Sequence, residues 1–261
     1  AVERPERVVS LNICTDQLAI QLLEPERIAS VSFLAADPHY SAVAGQAHRF
    51  HLNRGQAEEV LRLDPDIVLA GTYTSRATVR LLRRLGYDVV EVPPPSDLDA
   101  ARAQIRKVAG ALGVPERGAR LIRRIDRKLK AAGGDGGNGE RPTAAVYQAN
   151  GITPGRGELS HSLLRAAGLQ NLAARRGIRN LGALPLEALV LAEPDVLVFV
   201  TRKDAAPSQA TRLLDHPALA RLRERAAVAV IPPALWNCGG PQLAEAARRL
   251  ADARDRAEAG S

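Results

Sequence analysis

Aromatic and cationic side chains recur at one kind of place in this sequence, just after short aliphatic runs. Asn12 follows the first run, Phe33 and Tyr40 the second, and Tyr73 and Arg76 the third. In the second half Tyr147 closes a run and Arg156 follows in a Pro-Gly loop. Arg202 and Trp236 come after two later runs. Rings supply apolar contact area, and guanidinium forks make bidentate bonds to carboxylate or catecholate oxygens. The combination suits a flat or macrocyclic metal chelate with anionic groups. Trp236 is the only Trp in 261 residues, which makes it the foremost ring candidate. Each assignment has a plainer rival: Trp236 packed under the last helix, Tyr73 and Tyr147 in a core, Arg156 as a surface charge.

Other chemistries lack their signatures. His39, His51 and His161 have no partner at i+4, so neither a protein-ligated metal nor a resident cofactor is expected. There is no Gly-x-Ser-x-Gly, phosphate loop or dinucleotide fingerprint, and no local motif pairs Cys14 with a His. A binding protein rather than an enzyme is the expectation.

The elements that would position these residues are legible in the hydrophobic pattern. Aliphatic runs at 7–12, 28–33, 66–71 and 88–92 predict strands, with helical patterns at 15–23 and 76–85. Strands at 143–148, 195–200 and 227–231 repeat the scheme. Residues 58–69 also match residues 187–198 at a constant offset of 129, each copy reading as helix, acidic-Pro-Asp corner, strand. Continuous aliphatic strands alternating with helices predict an α/β fold of two Rossmann-like lobes with parallel sheets. A helix with Pro115 at its first position runs to Ala132, followed by a Gly-rich linker at 133–139. The expected organisation is an N-terminal lobe at 1–114, a connecting helix at 115–132 and a C-terminal lobe at 133–261.

The net charge of +7 would suit an anionic partner. Its arginines are scattered through amphipathic helices without interleaved aromatics, which argues against nucleic acid. No apolar run approaches the roughly 18 residues of a membrane span. The sequence starts at Ala1 and has no Met, so export with removal of a signal peptide is expected.

These pieces resemble the helical-backbone (class III) solute-binding proteins of ABC importers, which bind vitamin B12, ferric siderophores or haem. The resemblance is carried by residues 7–12, by Glu58 through Gly71, by Leu85-Gly86-Tyr87-Asp88 and by His216-Pro217-Ala218-Leu219. It implies two lobes joined by one long helix, a periplasmic monomer, and a chelate held in the cleft for delivery to a permease dimer. Corrinoid and ferric siderophore come ahead of haem, because no convincing axial pair is present. Trp236 falls where the vitamin B12 binder has a cleft Trp, and Glu58 and Glu187 match lobe-surface glutamates that dock on the permease. Cys14 and Cys238 fall in cleft-edge loops, where they either pair or remain two thiols. A chelatase-like enzyme on a similar fold and a periplasmic accessory protein are the alternatives.

Overall fold

In a computed structural model, residues 4–133, 141–200 and 216–260 are described. The Gly-rich linker lies outside these residues apart from Gly133. The aliphatic runs of the first half form parallel strands β1 (Val8–Ser10), β2 (Ile28–Ser32), β3 (His51–Asn53), β4 (Ile67–Gly71) and β5 (Val89–Val92), in the order β3-β2-β1-β4-β5. Helices α1 (Ile13–Leu22), α2 (Ala44–Ala47), α3 (Ala57–Leu63) and α4 (Arg76–Arg84) lie between them in the chain. All five residues of β4 are buried, as expected of a sheet covered on both faces. Val9, Val68 and Ala70 pack with Val60 of α3 and with Val79 and Leu82 of α4.

Helices α5 (Leu98–Ala111) and α6 (Pro115–Ala132) follow, the second with the bounds its Pro and apolar spacing predict. The second half contains β6 (Thr143–Tyr147), β7 (Ile152–Pro154), α7 (Leu159–Ala166), β8 (Gln170–Asn171), α8 (Leu172–Arg175), β9 (Leu181–Ala183), α9 (Leu186–Ala192), β10 (Val196–Val200), α10 (Pro217–Arg225), β11 (Ala227–Ile231) and α11 (Leu243–Ala259). Four of its strands form a parallel sheet in the order β11-β10-β6-β8, and β7 and β9 pair as an antiparallel ribbon.

The chain divides into two compact units. Unit 1 comprises Ala1–Pro95, Asp99–Arg124 and Asn237–Gln242; unit 2 comprises Ser96–Leu98, Ile125–Trp236 and Leu243–Ser261. Helix α6 thus begins in one unit and ends in the other. These boundaries differ from the sequence-based division at two points: Ser96–Leu98, expected in the N-terminal lobe, groups with unit 2, and Asn237–Gln242, expected in the C-terminal lobe, groups with unit 1.

The internal repeat has a structural cause. Asp64 caps the end of α3 and Glu193 that of α9, both left-handed, with φ of 42° and 41°. A Pro follows each and disfavours a further helical residue before it. The next Asp then fixes the neighbouring strand: Asp66 Oδ2 accepts the N–H groups of Glu6 and Arg7 at 2.7 and 2.8 Å. Likewise Asp195 Oδ2 accepts the N–H and hydroxyl of Thr143 at 2.6 and 2.9 Å. Each copy therefore ends a helix, turns the corner and pins the start of β1 or β6.

Candidate ligand-binding site

In unit 1 the chain leaves β1 for β2 on one side and returns to β4 on the other. The carboxyl ends of β1 and β4 therefore flank a topological switch point, where open α/β sheets form a ligand crevice. Asn12 stands directly after β1 and caps α1, its Oδ1 accepting the Cys14 N–H at 3.0 Å. Its amide nitrogen would lie only 2.6 Å from a Cβ on Gly71, so the end of β4 must be glycine for Asn12 to pack there. Beyond Gly71 the Thr74 hydroxyl accepts the Gly71 N–H at 3.0 Å, and the Gly71 carbonyl accepts the Thr74 N–H at 2.9 Å. This turn carries Tyr73 on its outside, 86% exposed, and Arg76 opens α4, also exposed. Phe33 follows β2 and is 52% exposed, while Tyr40, a few residues on, is partly buried. Because β1, β2 and β4 are adjacent and parallel, all these loops leave the same edge of one sheet.

The first turn of α1 is tied down covalently. Cys14 forms a disulfide with Cys238, their Cα atoms 5.2 Å apart. Asn237–Gln242 is thereby held against unit 1, and Gln242 Nε2 donates to the Cys238 carbonyl at 2.9 Å.

Beneath that turn lies a buried polar network that the sequence did not reveal. Asp16 is fully buried; one oxygen accepts the Ser32 N–H at 3.1 Å and the other the Ser32 hydroxyl. Ser10 and Thr15 share a hydrogen bond at 2.8 Å, and Asn53 Nδ2 donates to the Ser10 carbonyl and to Ser30 Oγ. Burial pushes the Asp16 carboxyl from 3.8 up to about 7, outweighing the hydrogen bonds from Ser10 and Ser32. The available signal was Ser10, Ser30, Ser32 and Asn53, polar residues within or ending otherwise apolar strands.

In unit 2 the expected residues separate. Tyr147 is not available as a ligand contact, which corrects the expectation from sequence. It is the last residue of β6 and wholly buried, among Leu172, Leu184, Leu189, Phe199 and Leu219. Its ring completes the core because the whole strand is covered, and burial raises its phenol pKa. Trp236 follows the short turn after β11 and is largely buried, 8% exposed. Arg202 lies outside the described residues. Arg156 is exposed on a loop zipped to residues 178–180: the Asn180 carbonyl accepts the Gly155 N–H at 2.9 Å, and the Ile178 carbonyl accepts the Arg156 N–H at 3.0 Å. A Cβ on Gly155 would come within 2.2 Å of the Ile178 oxygen, so only glycine fits there. Arg156 borders a groove of about 580 Å³ with Arg141, Arg165, Arg175 and His161, a cluster absent from the sequence-based site.

Glu58 and Glu187 each occupy the second position of α3 and α9, respectively, and both are exposed. Among the described residues, no three His, Cys, Asp or Glu side chains group as a metal site would require. No described helix is long and apolar enough to cross a membrane.

The model of the periplasmic binding protein family matches residues 8–228. The chain belongs to that family. A cobalamin-binding protein of Halobacterium salinarum (strain R1) is 25% identical over 262 residues, covering 95% of this chain and 69% of that protein. The periplasmic heme-binding protein RhuT from Roseiflexus sp. RS-1 is 26% identical with a TM-score of 0.74, covering 95% of this chain and 99% of RhuT. The periplasmic heme-binding protein BhuT, solved with two hemes, is 25% identical with a TM-score of 0.73, covering 95% of this chain and 98% of BhuT. These periplasmic binding proteins share the two parallel-sheet lobes expected from the helical-backbone resemblance.

Proposed function

We propose that this periplasmic binding protein is the solute-binding component of an ABC importer and captures a metal tetrapyrrole, haem or corrinoid, in the periplasm. The observation that carries the reading is Tyr73: a large ring 86% exposed on the turn beyond β4, at the switch point, with Arg76 three residues on. An aromatic side chain left in water gains nothing for folding, whereas a flat ligand would cover it. A tyrosine oxygen is a known axial ligand of haem iron, and an arginine can neutralise acidic groups on the macrocycle. That the similar proteins RhuT and BhuT are heme-binding and the Halobacterium protein cobalamin-binding supports this class over the siderophores.

Titration with haemin, cobalamin and a ferric hydroxamate, read by quenching of Trp236 fluorescence and by visible absorption, tests it. Tyr73→Ala should weaken the bound tetrapyrrole by about 1–3 kcal/mol, the range for truncating an anchoring aromatic. If iron is ligated by the phenolic oxygen, Tyr73→Phe should shift the absorption bands as well. Tight binding of the hydroxamate alone, or an unchanged affinity in Tyr73→Ala, would overturn the proposal.

Delivery to the permease would use Glu58 and Glu187, equivalent by the repeat and one on each unit. Opposite charges at such positions set orientation and encounter rate more than affinity. The double variant Glu58→Lys/Glu187→Lys should therefore import poorly while binding ligand normally in solution. Normal uptake by that variant would remove the docking role.

A further inference from the structure

We infer that unit 2 carries an anion-binding site in the groove beside strand β8, for a small ligand bearing two or more carboxylate or phosphate groups. Arg141 precedes β6, Arg156 lies on the loop after β7, Arg165 on α7 and Arg175 on α8; together they line the groove. None of these guanidinium groups makes an ion pair or hydrogen bond with any described residue. Some arginines elsewhere in the same unit are paired: Arg248 and Arg249 share Glu245, and Arg254 donates to the carbonyls of Ala132 and Ala167. Among the described residues, Asp97 is the one acidic side chain lining the groove, and it has an interaction of its own.

Four like charges around one concavity repel one another, and a fold keeps them there at some loss of stability. An anion relieves that repulsion, and planar guanidinium forks match the oxygens of carboxylate or phosphate. His161 adds an imidazole contact. Its Nδ1 is buried without a hydrogen-bond partner, and burial, then Arg165 and Arg156, hold its pKa below the ordinary imidazole value. The groove, at about 580 Å³, is of a size that takes a small metabolite. The inference does not depend on which chelate the protein carries, because its residues are distinct from the Tyr73 loop.

Calorimetric titration of the whole protein with pyrophosphate and with citrate, at ionic strength matched with sodium chloride, tests it. Binding of either supports the site, and the stronger of the two distinguishes phosphate from carboxylate recognition. The variant Arg165→Ala/Arg175→Ala should weaken binding by about tenfold to a hundredfold per guanidinium removed. Arg84→Ala/Arg123→Ala, which lowers net charge equally on unit 1, should leave it unchanged. All four arginines are exposed, so the fold should survive, as circular dichroism will confirm. Absence of binding by both anions, or equal losses in the two double variants, would overturn the site. Tyr73→Ala should leave pyrophosphate and citrate binding intact, which separates failure here from failure of the tetrapyrrole reading.

Discussion

Replacing both cysteines, as Cys14→Ala/Cys238→Ala, should lower the stability of the oxidised protein by about 5 kcal/mol for complete unfolding. The disulfide joins positions 224 residues apart, so in the unfolded chain it keeps the ends of a very long loop together. Loop-closure entropy gives about 5 kcal/mol for a ring of that size. The enthalpic loss is small by comparison, since Cys238 is a small buried side chain and alanine nearly fills its place. Guanidinium unfolding should show a lower midpoint and a steeper dependence on denaturant, because the uncrosslinked chain exposes more surface when it unfolds. Identical midpoints for oxidised wild type and the variant would contradict a bond that constrains the unfolded state.

The second large effect comes from Asp16. Its folded-state pKa, about 7, stands above the ordinary 3.8, so the native protein holds this proton more tightly than the unfolded chain. Its contribution is complete below pH 3.8, shrinks as pH rises towards 7 and is absent above that. At 1.36 kcal/mol for each tenfold change, the difference is on the order of 4 kcal/mol. Asp16→Asn keeps an oxygen for the Ser32 N–H and supplies an amide for the Ser32 hydroxyl, without a charge to bury. The variant should gain stability over wild type at pH 8 and lose most of that gain at pH 4.5. Glu245, lowered to about 2 chiefly by its hydrogen bond from Arg248, changes only below this window. His161 is depressed by burial and acts in the opposite sense within it, so the difference between the two proteins is the quantity to read. Parallel stability curves for wild type and Asp16→Asn from pH 4.5 to 8 would refute the raised carboxyl.

Much of the fold could be read from the sequence because its signals are local. Aliphatic runs gave β1, β2, β4, β5, β6, β10 and β11 to within one or two residues, and Pro115 marked the start of α6. Strands β3, β7, β8 and β9 have two or three residues each, too short for any period to emerge. The loops after β1, β2 and β4 were legible as one cluster, since parallel strands send their carboxyl ends to the same edge. Tyr147 was misassigned because a strand buried on both faces does not reveal where its last side chain points. The groove arginines stand on four separate segments between 141 and 175, and only the packing of unit 2 brings them together. The cysteine pair was left open by the sequence because nothing there says that Asn237–Gln242 folds with unit 1.

The same bond governs how the molecule responds to proteases. A single cut anywhere between Cys14 and Cys238 opens the covalent ring but frees no fragment, because both pieces remain joined through the two sulfurs. Nicked molecules would migrate as intact chains until reduced, and a damaged binding protein could keep both of its units in one covalent particle.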